Sequence, residues 1–481
     1  MFNSYEAKLA LNHFHEITKI PHGSGNEKAV SDYVKNFAEG LGLKTIQDSM
    51  HNLIVFKDAA PGYENSPAIV LQAHLDMVCE KNADTVHDFT TDPLDIYIDG
   101  DFIKARGTTL GADNGIAVSL FMALMEDCKD HPPLEFVFTT QEETGMGGAM
   151  ELDASVLKGK HMINLDADND AGFVMGCAAG TMIKYSLPVS YVKPCEDSVQ
   201  VKISVSGLTG GHSGMDIHKS RAHAIKLIGV ILAELDAELC VCIKGLSGGM
   251  KVNAIPREAF LEAAIPKNAL AKAKEIVEKL HTQFTSDFRL TDPKLQVAIE
   301  EISGEMGEVL DGLSKQRLIS SLQLFPNGVL AMSSELASLV NSSCNLGVVE
   351  TTKDKINLSA MPRGATKYYN ERVEHAVLSL GKLTGAETVF IERSPAWPYN
   401  PFSKLLDLAK KSYMKVFGAE PTVSAVHAGL ECGLFAEKIP GLDIISFGPV
   451  TYDLHTPDER VSISSVGRVW KFLLELLSSK R

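Results

Sequence analysis

Three short apolar runs constrain the fold of this chain more than any other feature: AIVLQA (68–73), LEFVFTT (134–140) and HMINLDAD (161–168). Pro67 precedes the first, and Pro132 and Pro133 precede the second. Runs of this length, apolar without alternation, are strands buried on both faces. Helical periodicity stands before and between them, over 26–43 and 114–127. Buried strands separated by helices predict an α/β fold with a largely parallel sheet flanked by helices.

The middle of the chain has another character. VQVKISVSG (199–207) alternates apolar and polar residues, as a half-exposed strand does. A helix is expected over 221–235, a hairpin in KVNAIPREAFLEAAIP (251–266) and a helix over 269–280. A weaker echo follows in LQVAIEEIS, KQRLISSLQL and NLGVVETTKDKINLSAMP, with a helix over 370–380. This predicts an α+β domain of two ferredoxin-like units in tandem. From about 395 the α/β pattern returns, with helices over 402–416, 430–438 and 464–477 and the buried run LDIISFG. At 481 residues the chain exceeds one ordinary core. The expected organisation is an α/β domain (1–186 and 391–481) interrupted by the middle domain (187–390).

Composition narrows the function classes. Forty-six Lys and Arg against 61 Asp and Glu give a net charge of −15, which excludes non-specific nucleic-acid binding as the main task. No apolar run reaches the roughly 18 residues of a membrane span. The N-terminal stretch carries Glu6, His13, His15 and Glu16 within an apolar pattern, which reads as an amphipathic helix and not a signal peptide. The eight cysteines form no CxxC pair, and Cys240 and Cys242 flank Val241 on one strand face. A reducing cytoplasm is therefore expected.

Metal-ligand residue types gather at the carboxyl ends of the predicted strands, where open α/β sheets build their sites. His74 and Asp76 follow the first run, Glu142 and Glu143 the second, and Asp166 and Asp168 end the third. Asp113 sits in a Gly-Ala-Asp-Asn-Gly turn that opens a helix, and His455 follows LDIISFG. Singly, each has a plainer explanation: a solvated Glu pair, a helix N-cap, a loop histidine. Together they suit two divalent ions bridged by a carboxylate, with a spare Glu as general base.

Beyond that chemistry, AHLDMVCEKN, GTTLGADNGIA, TTQEETGMGGA, INLDADN, GLTGGHSGMDIHKSRAHA and LHTPDERVSI resemble the motif series of the di-zinc metallopeptidases related to aminoacylase and carnosinase. Within them the chain is most similar, end to end, to the aminoacyl-histidine branch, the Xaa-His or cytosol non-specific dipeptidases. The resemblance implies that His74 and Asp166 bind one metal, Glu143 and His455 the other, and Asp113 both. It implies that Asp76 orients His74 and that Glu142 is the general base. It makes the middle domain a lid and homodimer interface, from which His212 reaches the partner subunit's site to steady the oxyanion. Asn253, Arg363 and Gly429 become substrate contacts, Arg363 as a fork for a free peptide carboxylate. His218 and His223 are structural in this reading. Cys79 stands where many relatives have Pro. The expected cofactors are two divalent ions per chain, zinc first and cobalt or manganese as the alternatives, since ligand type alone does not separate them. The expected substrates are unmodified dipeptides, Xaa-His among them. N-acyl amino acids are the alternative, for a deacylase on the same metal site.

Overall fold

In the computed structural model, which describes residues 2, 5–304, 307–336 and 339–479, the apolar runs form the middle of an eight-stranded sheet. Its order is Lys44–Gln47, Leu53–Lys57, Leu134–Thr139, Ile69–His74, His161–Asn164, Asp443–Ser446, Gly172–Cys177 and Thr422–Val426. Ile69–His74 and Leu134–Thr139 are buried at every residue, because helices cover both faces. The central pairings are parallel, with His74 opposite Thr139 and Gln72 opposite Asn164. This register brings the carboxyl ends of three strands to one edge.

The helix Ala112–Asp127 is buried almost throughout, so it is apolar all round instead of striped. Its Phe121 ring packs on Phe136 and Phe138 with centroids 5.9 and 6.1 Å apart. Each such ring taken from water contributes about 1.5–3 kcal/mol. The C-terminal helix Ile463–Ser478 instead buries one stripe, including Val466, Val469, Leu473 and Leu476. Ser462 caps it by accepting from the Ser465 N–H.

The chain divides into two compact units. One comprises Met1–Gly176, Tyr399–Ala425 and Leu430–Arg481, and the other Cys177–Pro398 and Val426–Gly429. The second unit is built on a single antiparallel sheet in which two β-α-β-β-α-β motifs meet. The first motif runs Ser198–Ser206, Cys242–Gly248, Ala259–Pro266 and Gln296–Glu301, with helices Ala224–Glu238 and Leu270–Asp287. LQVAIEEIS therefore closes the first motif and does not open the second. The second motif takes its first strand, Ala179–Pro188, from ahead of the first, then uses Val340–Thr351, Lys355–Gly364 and Glu387–Ser394. The motifs are thus nested along the chain. They meet where Ser247 pairs with Glu350 and Gly248 with Val349.

The hairpin expected in KVNAIPREAFLEAAIP is also corrected. Its second half is the strand Ala259–Pro266, but the partner lies upstream at Cys242–Gly248. The KVNAIPR segment is the connection, held by Ile255 N–H to Gly211 O at 2.8 Å and by Asn345, which donates to the Val252 and Ala254 carbonyls. These backbone groups are satisfied by a neighbouring loop and a side chain, so no ladder forms.

Candidate active site

At the carboxyl edge of the eight-stranded sheet, five side chains converge. His74 Nε2 lies 3.2 Å from Asp113 Oδ1 and 3.4 Å from Asp166 Oδ1. His455 Nε2 lies 3.3 Å from Asp113 Oδ2 and 2.9 Å from Glu143 Oε1. His74, Asp113 and Asp166 form one group with candidate ligand atoms within 4.8 Å of one another, and Asp113, Glu143 and His455 form a second. Asp113 belongs to both and turns a different oxygen to each. Glu142 joins His74 and Glu143 in a third such group, and among the described residues Asp168 belongs to none.

Local backbone explains why Asp113 can serve both sides. Gly111 turns the chain at φ 67°, and a Cβ there would lie 2.8 Å from the Met77 sulfur. Asp113 and Asn114 then leave helical geometry, with ψ of 102° and 23°, before the helix continues. Asn114 donates to Asp166 Oδ1 at 2.9 Å and to the Leu165 carbonyl at 2.8 Å, tying the turn to the end of the His161 strand.

Asp76 does more than orient His74. The closest partner of His74 Nδ1 is the Asp76 backbone carbonyl, at 2.9 Å, with the carboxylate at 3.4 Å. That carboxylate accepts from Ser24 Oγ at 2.7 Å and from the backbone amides of Glu142 and Glu143 at 3.0 and 3.2 Å. One residue thereby fixes the imidazole and the loop bearing both glutamates.

The electrostatics are those of crowded carboxylates around two imidazoles. Burial opposes protonation of His74, yet Asp166, Asp113 and Asp76 outweigh it and raise its pKa well above the ordinary value. Hydrogen bonding to Asp113 and Glu143 pushes His455 up to about 10. Burial, with Asp113 and Glu143 nearby, lifts Asp166 to about 6. Burial also raises Glu142 well above the carboxylate range, reinforced by Asp166, Glu431 and Glu143. Two imidazole nitrogens and three carboxylates facing one another are a hard-to-borderline donor set that fits divalent cations. Glu143 Oε1 is buried without a well-aligned hydrogen bond, as a ligand atom is. The extra protons held here are what a cation would displace.

Two buried glutamates escaped the sequence reading. Glu459 accepts from four successive backbone amides, those of Leu110, Gly111, Ala112 and Asp113, at 2.7 to 3.3 Å. Its signal was present in LHTPDERVSI but reads as surface charge. Glu431, the first residue of the helix Glu431–Lys438, accepts from Gln72 and Thr139, each at 2.6 Å. Nothing in its neighbourhood in sequence points to that burial.

In the second unit, His212 Nδ1 accepts from the backbone amides of Gly214 and Met215 at 3.2 Å. The remaining proton of the neutral ring is then on Nε2. Burial and the nearby Arg363 lower the His212 pKa, so the ring is a neutral donor. Gly214 is required here, since a Cβ would meet the His427 carbonyl at 2.5 Å. Asn253 is adjacent, its carbonyl accepting from the Ser213 N–H at 2.8 Å. Arg363 is 7% exposed and donates from Nη2 to the Met361 sulfur at 3.2 Å, and among the described residues no carboxylate pairs with it. Gly429 lies two residues ahead of the helix Glu431–Lys438, whose first turn already holds the Glu431 carboxylate. His223 caps its helix, accepting from the Lys226 N–H at 3.4 Å.

Residues 70–479 match peptidase family M20/M25/M40. This chain belongs to that family. It is 36% identical over 465 residues to the cytosol non-specific dipeptidase of Escherichia coli K12, covering 96% of each chain. The crystal structure of an aminoacylhistidine dipeptidase from Vibrio alginolyticus is similar at a TM-score of 0.93 and 35% identity, over 100% of this chain and 98% of that one. An aminopeptidase from Bacillus cereus, at 15% identity and a TM-score of 0.57, shares the fold. The M20 chain is thus a hydrolase of peptide bonds within a family that uses divalent metal, and the family resemblance and α/β fold expected from its motifs are both met.

Proposed function

We propose that this M20 peptidase hydrolyses unmodified dipeptides, Xaa-His among them, with two divalent ions, zinc first, in the cytoplasm. The observation that carries the two-ion reading is Asp113, with one oxygen 3.2 Å from His74 and the other 3.3 Å from His455. His74 and Asp166 would hold one ion, Glu143 and His455 the other, and Asp113 both. Ions so held supply Lewis acidity toward the scissile carbonyl and acidify a water.

The chain's own residues do the rest. Glu142, whose carboxylate has no hydrogen-bond partner among the described residues, takes a proton from the attacking water and returns it to the leaving amine. Arg363 binds the substrate's free carboxylate. A buried guanidinium without a counter-ion is costly, and a carboxylate ligand removes that cost. Asn253 and the backbone at Gly429 complete the substrate contacts. His212 donates Nε2–H to the oxyanion. The second unit would serve as lid and homodimer interface, with His212 acting on the partner subunit's site. The single deciding assay compares a free dipeptide with an N-acetylated amino acid on metal-loaded protein. Turnover of the dipeptide alone is expected, and preference for the N-acetyl substrate would replace this reading with a deacylase.

A further inference from the structure

The eight cysteines divide sharply by environment. Cys128, Cys177, Cys344 and Cys432 are buried, where cysteine serves as a small apolar filler. Cys79 is exposed. The remaining three come together in the second unit, partly open to solvent. Cys195 Sγ lies 3.2 Å from Cys240 Sγ and 3.1 Å from Cys242 Sγ, and the three form one group within 4.8 Å.

The arrangement follows from local structure. Cys240 comes just after the helix Ala224–Glu238, and Cys242 opens the strand Cys242–Gly248. Val241 between them is 1% exposed and points into the core, so the flanking sulfurs point the other way. Lys315 fixes this segment by donating to the Val241 carbonyl at 3.1 Å while pairing with Asp236 at 2.6 Å. Cys195 approaches from the loop ahead of the strand Ser198–Ser206. Thiol-to-thiol contacts are weak hydrogen bonds, and partly exposed sulfurs bury little apolar area, so packing does not account for the cluster.

We propose that Cys195, Cys240 and Cys242 form a three-thiolate site for a thiophilic metal cation of the Zn²⁺ or Cu⁺ class, separate from the catalytic centre. Three sulfur donors select soft and borderline ions over the hard cations that carboxylates prefer. Among the described residues no histidine or carboxylate completes the group. Its partial exposure leaves room for a water on a four-coordinate ion. The neighbouring thiols of Cys242 and Cys240 push the Cys195 thiol up to about 12, so Cys195 releases a proton to solvent when its sulfur coordinates an ion.

The test titrates the reduced, metal-free, full-length protein with Cd²⁺ and follows the ultraviolet thiolate-to-cadmium charge-transfer band. The catalytic centre has nitrogen and oxygen donors only and gives no such band. The expected result is a saturable band that Cys195→Ser weakens at least tenfold in affinity and Cys79→Ser leaves alone. In the unaltered protein, bound Cd²⁺ should protect these three thiols from alkylation, mapped by mass spectrometry. Displacement by Zn²⁺ at similar concentration, or by Cu⁺ alone, identifies which ion the site favours. Absence of the band, its persistence in Cys195→Ser, or oxidation of two of the three to a disulfide without any protection by metal would overturn the proposal.

Discussion

Glu459 and Asp113 are joined through the backbone: Glu459 Oε1 accepts from the Asp113 N–H at 3.3 Å, the last of four consecutive amides that its two carboxylate oxygens share two apiece. Glu459 thereby sets the turn that aims Asp113 in two directions. Partners of this kind typically cost about 10 to 100-fold in metal affinity or activity when removed. Glu459→Gln, which keeps the volume but halves the acceptor capacity, should weaken metal binding by that amount, as read by competition with a chromophoric chelator. Wild-type affinity in this variant would show that the turn holds itself.

Glu142→Ala should keep its metal and lose turnover. A general base contributes about 10² to 10⁴-fold, and Glu142 is placed among the ligand groups without being needed by either Asp113-centred set. Metal content by elemental analysis and kcat on a dipeptide separate the two effects. A variant that is both metal-poor and inactive would make Glu142 a ligand instead.

Arg363 should confer the requirement for a free C-terminus. A charge-assisted fork in a desolvated setting contributes about 1.5–3 kcal/mol. Amidating the dipeptide should lower kcat/KM strongly in the wild type and little in Arg363→Ala. Equal sensitivity in both would place the carboxylate contact elsewhere.

Metal uptake should release protons and strengthen as pH rises. In the metal-free protein His455 is raised to about 10 by Asp113 and Glu143 and is protonated at neutral pH, and Asp166, Asp113 and Asp76 raise His74 in the same direction. A ligating imidazole must be neutral, so binding expels those protons and acid opposes it. Calorimetry in buffers of different ionisation enthalpy counts the protons. Net proton uptake would contradict the ligand assignment.

His212 should act across a dimer. Combining a His212→Ala chain with a Glu142→Ala chain, each nearly inactive alone, should restore one site in two of the heterodimer. Losing one oxyanion donor typically costs about 10² to 10³ in kcat, so the recovery is easily measured. A verified heterodimer without activity, or a monomer in solution, would confine His212 to its own chain.

The sequence announces what is local. Unbroken apolar runs mark Ile69–His74 and Leu134–Thr139, because burial on both faces leaves no room for polar alternation. The residues just beyond those runs converge because parallel register aligns the strand ends. Pairing between distant segments is not announced in the same way. Ala179–Pro188 neighbours Lys355–Gly364 and Glu387–Ser394, and nothing in its own residues names those distant partners. For the same reason KVNAIPR looked like half of a hairpin, when its polar backbone groups are met by Gly211 and Asn345. Glu459 and Glu431 were hidden because a charged residue reads as surface until its acceptors' donors are known.

The assembly of the centre from dispersed segments has a consequence for synthesis. His74, Asp113, Glu143 and Asp166 all precede the second unit in the chain, whereas Glu459 and His455 follow it. A nascent chain emerging from the ribosome therefore carries four of the five converging groups through the translation of more than two hundred further residues before the last imidazole arrives. Until then the Asp113 turn lacks the carboxylate that gathers its amides, and the group around Asp113 and Glu143 lacks its histidine. On the proposed ligand assignment, peptide-bond hydrolysis would be withheld from every partially made copy, a form of timing written into the order of the segments and independent of any inhibitor.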